Sequence, residues 1–193
     1  MSSSAPASGP AGDDALSQLL AQRAGSDQGI IDVDVPMLKV VIFTLGDDLF
    51  AFPGRQVREI LPLQRIWFVP GCPSSVEGVI DIRGDICSVL RLAELIGIDQ
   101  RADGAAPRAG GAILLGHAGG MESGLRVDLV MDVVDVIEAD ILTPSETLPA
   151  QLEHVVTGFF ERSTGTGSHS VLLLDMGRLF DAWRAEHAAN GRT

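Results

Sequence analysis

From Leu38 onward the apolar positions fall in short runs of period two, broken by glycine, proline and aspartate, which is the pattern of strands and turns. Residues 39–45 and 49–52 flank Gly46-Asp47-Asp48 and predict a hairpin. Pro53-Gly54 ends it, Val57-Arg58-Glu59-Ile60 resumes extended chain, and Val69-Pro70-Gly71-Cys72-Pro73 interrupts again. Val76, Gly78, Ile80 and Ile82 then alternate with Glu77, Val79 and Asp81, while Ile86, Ser88, Leu90 and Leu92 alternate with Cys87, Val89 and Arg91. These two strands predict a second hairpin turned by Arg83-Gly84-Asp85, with Gly84 the residue suited to positive φ. Leu92, Leu95 and Ile96 share one face of a short helix that Gly97 closes.

The second half repeats this order: a strand over 112–115, a glycine-rich connection over 117–124, a strand over 125–130 and an extended run to Ile137. Val76-Glu77-Gly78-Val79-Ile80 corresponds to Val156-Thr157-Gly158-Phe159-Phe160, and Ser88-Val89-Leu90-Arg91-Leu92 to Ser170-Val171-Leu172-Leu173-Leu174. Val57-Arg58-Glu59-Ile60 is matched to Val134-Asp135-Val136-Ile137 at nearly the same offset. The expectation is a duplicated all-β unit, each copy about five short strands closed by a short helix and barrel-sized.

Residues 1–36 are of another kind, since Ser, Ala, Pro and Gly cannot bury enough apolar surface to offset the entropy of ordering. A disordered tail is expected there, with a candidate short helix over 14–24 that has Asp14 as N-cap and Leu16, Leu19 and Leu20 on one face. With 193 residues, 46% of them hydrophobic, the remainder is long enough for a real core. No apolar run reaches the roughly 18 residues of a membrane span, so no direct membrane insertion is expected. A net charge of −12 disfavours nucleic acid, whose phosphates require clustered Lys and Arg.

Candidate chemistry is sparse. His117, His154, His169 and His187 are scattered, His117 and His169 in predicted hairpin loops, and no HExxH, GxSxG or Walker-type loop occurs. Asp47-Asp48 and Asp132/Asp135 read as turns and solvated strand faces, and Cys72 and Cys87 as buried small hydrophobes. No catalytic residue, metal site or cofactor is expected. The Arg-Gly-Asp triplet is an adhesion signal only in a secreted protein, and without a secretory h-region it is expected to be a turn. The competing class, a small β-barrel enzyme or ligand-binding module, lacks a motif in its confirming context.

Several pieces in order resemble one family. Val41-Ile42-Phe43-Thr44-Leu45-Gly46-Asp47-Asp48-Leu49-Phe50-Ala51-Phe52-Pro53, Val57-x-Glu59-Ile60, Pro70 ahead of Val76-x-Gly78-Val79, Arg83-Gly84, Val127-Asp128-x-Val130 and Gly158 resemble the CheW-like chemotaxis coupling proteins over about 38–183. The resemblance implies two intertwined five-stranded SH3-like barrels with a core between them, within a domain over 37–186 followed by a tail over 187–193. It departs from the usual Asn-Leu before Arg-Gly, where Asp81-Ile82 stands. It also implies a non-catalytic cytoplasmic scaffold at receptor arrays. One partner would be a chemoreceptor's cytoplasmic tip, docked in the groove between barrels, and the other the regulatory domain of a CheA-type histidine kinase at the barrel ends. Val57, Glu59, Val76, Gly78 and Arg83 match motif positions used around those contacts. Glu59 and Arg83 are expected to act by charge and to be at least half exposed.

Overall fold

A computed structural model of the chain describes residues 35–98, 111–144, 148–164 and 167–190. The expected disordered tail and its candidate helix over 14–24 lie outside the described residues, apart from 35–36. Ten strands run β1 Met37–Leu45, β2 Asp48–Pro53, β3 Val57–Pro62, β4 Val76–Ile82, β5 Asp85–Arg91, β6 Ala112–Ala118, β7 Met121–Val127, β8 Leu129–Ile137, β9 Val156–Thr164 and β10 Gly167–Leu174. The helices are α1 Leu92–Leu95, α2 Ala150–Glu153 and α3 Met176–Asn190. Helix α3 runs on through residues 187–190, part of the segment expected to be a tail. No described helix is long and apolar enough to cross a membrane.

The strands form two five-stranded sheets, ordered β8-β1-β2-β10-β9 and β3-β6-β7-β5-β4. Exchanging each strand for its counterpart in the other half turns the first order into the second, so the duplication is real and the halves are interleaved. Each half supplies two strands to one sheet and three to the other. The halves knit together at the parallel pairings of β2 with β10 and of β7 with β5 and at the longer antiparallel pairings of β1 with β8 and of β3 with β6.

Burial follows from this interleaving. Val40, Ile42, Ala51, Val171 and Leu173 fill the first barrel, and Ile80, Cys87, Val89, Ile113 and Leu115 the second. The alternate residues of the same strands, including Val41, Phe43, Phe50, Phe52, Leu90, Leu114 and Leu125, form a larger core together with Leu92 of α1 and Met176, Leu179 and Phe180 of α3. Strands buried on both faces read as continuous apolar runs, as Val40-Val41-Ile42-Phe43 and Ala112-Ile113-Leu114-Leu115 do. Phe43 stacks on Phe52 at 5.3 Å and on Phe50 at 6.1 Å.

Three expectations need correction. The connection over 117–124 is mostly strand, because β6 and β7 stay paired to Ala118↔Met121 and only Gly119-Gly120 turns. His117 is therefore a strand residue, and so is His169, which lies on β10 paired with Arg162 rather than in a loop. Register also moves two of the repeat matches: Val76↔Leu90 and Gly78↔Val89 answer to Val156↔Leu174 and Gly158↔Leu173. Leu90 thus corresponds to Leu174, two residues further on than the sequence match. Likewise Val57, Glu59 and Ile60 correspond to Val130, Asp132 and Val133, a shift of four, since β3 on β6 and β8 on β1 carry the same bulge. Even-numbered slips leave every side chain on its own face, so alternation could not detect them. The third correction concerns Cys72, which is exposed, whereas Cys87 is buried and burial pushes its thiol pKa up.

Because neither barrel can form from one half, the protein is expected to unfold in a single transition, seen as coincident urea curves by circular dichroism and tryptophan fluorescence. Phe52→Ala should lower the unfolding free energy by about 3–5 kcal/mol; a loss confined to one of two separate transitions would contradict the interleaved core.

Candidate functional site

Glu59 and Arg83 come from opposite ends of the second sheet's order, β3 and the β4–β5 turn, and meet in an ion pair of 2.8 Å. The turn is tighter than expected: Ile82 pairs with Asp85, and Arg83 joins Gly84 at positive φ, 56° and 97°. Both central residues of a two-residue hairpin of this hand require positive φ. Asp81 accepts the Gly84 N–H through its carboxylate at 2.7 Å and so caps the turn. Arg83 is 79% exposed, but Glu59 is only 30% exposed, because Arg83 pairs with it and it lies on an inward-turned position of β3. That corrects the expectation that both are at least half exposed.

The other barrel has a counterpart. Asp132 of β8 pairs with Arg162 of β9 at 2.7 Å, again joining the two ends of a sheet's order. Asp132 occupies the position equivalent to Glu59. Hydrogen bonding from Arg162, then from the Val133 N–H at 2.8 Å, holds its carboxyl below the ordinary range. Sequence reasoning missed this pair, although Val130-x-Asp132-Val133 repeats the acidic spacing of Val57-x-Glu59-Ile60.

Val57 and Val76 pack half-buried against the core between the barrels and present little surface. Gly78 is buried, at φ +155°, and a Cβ there would lie 2.3 Å from the Trp67 carbonyl and 2.8 Å from Ile66. The reason is a crossing in which Trp67 and Val79 exchange backbone hydrogen bonds of 2.8 and 2.9 Å, laying the segment after β3 along the edge of β4. Leu142 and Phe159 make the same exchange in the other barrel, where a Cβ at Gly158 would meet Ile141 at 2.6 Å. The two glycines are thus equivalent, as expected, and each admits a close backbone approach.

Two exposed apolar features escaped the sequence reading. Trp67, Phe68 and Ile86 are 51%, 76% and 71% exposed. On the outer face of the first barrel, Met37, Val133 and Ile137 carry the apolar row of Val41 and Phe43 out of the core into solvent, with Met131 at the bulge and a Lys39–Asp135 ion pair of 3.0 Å across it. Among the described residues no three His, Cys, Asp or Glu side chains gather as metal ligands.

Residues 39–183 match the family model described as CheW-like domain. The chain is 21% identical over 158 residues to the chemotaxis protein CheW of Treponema pallidum, covering 82% of this chain and 91% of that protein. It is 27% identical over 150 residues to the probable chemotaxis protein CheW of Rhizobium etli, covering 78% and 92%. The crystal structure of the scaffolding protein TtCheW from Thermoanaerobacter tengcongensis matches with a TM-score of 0.62 at 25% identity, over 75% of this chain and 88% of that one.

Two measurements check this geometry. Gly84→Ala, with nothing within 4 Å of the new Cβ, should cost about 1–2 kcal/mol for its backbone conformation, whereas Gly78→Ala should cost about 3 kcal/mol or more, since backbone must also move. Equal losses in urea unfolding would refute the crossing. The Asp132 pair should contribute stability above the unfolded carboxyl pKa of about 3.9 and lose it as pH falls through the lowered folded value. Asp132→Asn should therefore melt below the wild type at neutral pH, with the gap closing below about pH 4; a gap unchanged at low pH would show that the pair does not act.

Proposed function

The chain belongs to the CheW-like domain family of non-catalytic chemotaxis adaptors, and from that premise we propose that it couples the cytoplasmic tip of a chemoreceptor to the regulatory domain of a CheA-type histidine kinase. It does so in the cytoplasm, at receptor arrays. The observation that carries this reading is the apolar row Met37, Val133 and Ile137, which continues the core between the barrels into solvent. A margin of that kind suits one face of an amphipathic helix, the element a helical receptor tip presents.

Of the five motif residues, Glu59 and Arg83 supply the charge at the docking surface. Val57 and Val76 fix the strands beneath it, and Gly78 seats the Trp67 segment against β4. A charged pair at a rim sets orientation and association rate more than stability. Residues 37–186 form the coupling domain in this reading.

Titration of variants against a soluble receptor-tip fragment and, separately, against the kinase regulatory domain tests the proposal. Val133→Glu combined with Ile137→Glu should weaken the receptor fragment by about tenfold or more while leaving the melting temperature nearly unchanged, since both sites are exposed. Glu59→Lys or Arg83→Glu should change stability by no more than about 1 kcal/mol and weaken at least one partner in a salt-dependent way. Wild-type affinity for both partners in every variant would overturn the assignment of this surface.

A further inference from the structure

The helices that close the two halves are unequal. Register sets Leu90 against Leu174 in the repeat, so Arg91 corresponds to Asp175, Leu92 to Met176, Ile96 to Phe180 and Gly97 to Asp181. Both helices begin alike. The Arg91 N–H donates to the Ser75 carbonyl and the Asp175 N–H to the Val155 carbonyl, each at 2.9 Å, and Leu92, Ile96, Met176 and Phe180 are buried in the shared core. There the likeness stops: Gly97, at φ +72°, turns the chain out after α1, whereas Asp181 carries α3 on to Asn190.

The first turns of α3 therefore do what the repeat requires, and the turns that follow are additional. They reach the second barrel. Trp183 donates its indole N–H to the Ser75 hydroxyl at 3.1 Å, and Arg184 donates to the Gly119 carbonyl in the β6–β7 turn at 3.3 Å. His187 stacks on the Trp183 ring at 4.6 Å, with its Nδ1 donating to the Trp183 carbonyl at 2.8 Å. Ser75 is the informative partner, because it is buried where its counterpart in the first barrel, Val155, is a buried apolar residue that needs no such bond. A buried hydroxyl costs stability unless it is hydrogen-bonded, and the Trp183 indole meets that need.

The two parts of α3 are held to different degrees. Met176, Leu179 and Phe180 are buried, whereas Ala182, Arg184, Ala185 and Glu186 are exposed and Trp183 and His187 only half-buried. A segment with few buried apolar contacts opens at a lower free energy than the fold as a whole. We propose that α3 beyond Asp181 is a strap, closed over the start of β4 and the β6–β7 turn by Trp183 and Arg184, which releases as a unit while both barrels stay folded. It follows β10 of the first sheet but closes on the second. On release Ser75 loses its partner, and the chain at 74–76 that leads to the Gly78 crossing loosens. Val155, packed in the core, loses nothing.

Amide hydrogen exchange of the full-length protein, read residue by residue by NMR, tests this. In the wild type the amides of residues 184–188 should share one protection factor, lower than that of Leu179 and Phe180; a smooth gradient toward the C-terminus would mean simple fraying and overturn the proposal. Trp183→Ala should speed exchange at Val76 and Arg91 by about tenfold or more and leave Asp175 and the β1–β2 amides within about twofold of the wild type. Ser75→Ala, which removes only the indole's acceptor, should speed exchange over 184–188 by about threefold or more. Unchanged exchange at Val76 and Arg91 in Trp183→Ala, an equal acceleration in β1 and β2, or unchanged exchange over 184–188 in Ser75→Ala would each overturn the strap. Should Trp183→Ala not fold, Ser75→Ala decides the matter, since it opens no space larger than a hydroxyl.

Discussion

Everything in this molecule depends on strands β1, β2, β6 and β7 being buried on both faces. Val40 and Ile42 fill one barrel while Val41 and Phe43 of the same strand fill the space between barrels, and Ile113 and Leu114 divide the second barrel and the shared core in the same way. The two barrels are thus joined by continuous strands that serve two cores at once, which is a firmer union than two domains pressed together. Helix α3 covers that shared core through Met176, Leu179 and Phe180, and its Trp183 indole donates to the Ser75 hydroxyl at 3.1 Å. The outer surfaces of both barrels are consequently held by a rigid frame.

Where that core ends, the surface starts to differentiate. Each barrel carries an acid–arginine pair between the ends of its sheet, Glu59 with Arg83 and Asp132 with Arg162, at corresponding positions on β3 and β8. Each also carries a crossing on a buried glycine. Symmetry at this level reflects what barrel closure demands. The departures from it are features that packing does not require: the exposed apolar row Met37, Val133 and Ile137 on one barrel, and the exposed Trp67 and Phe68 on the other.

Much of the architecture was legible in local pattern. Hairpins announced themselves by alternation and by Gly46 and Gly84 at their turns, the duplication by Gly78 and Gly158, and the family by the order of several weak motifs. Of the candidate site, Glu59 and Arg83 did come together at 2.8 Å. The partial burial of Glu59 was not legible, since it follows from Arg83 arriving over it from a turn 24 residues away in sequence. Trp67 and Phe68 lie between the extended run at 57–60 and the interruption at 69–73, where the pattern predicts no element, and nothing local says that they stand in solvent, because an aromatic pair before Pro70 is equally well a buried plug.

By itself the sequence determined the elements: strands from period two, turns from glycine and proline, one repeat from a recurring motif, and an acidic chain with little catalytic equipment. These are readable because each depends on neighbours within a few residues. Only the tertiary structure decided which strands pair, that the halves exchange strands, that Glu59 corresponds to Asp132 and Leu90 to Leu174, and which apolar residues remain outside. The physical reason is that alternation is unchanged by a slip of two or four residues and carries no label for a strand's partner. Register is settled only when side chains from distant strands compete for the same volume, as Phe43, Phe50 and Phe52 do at the centre of the shared core.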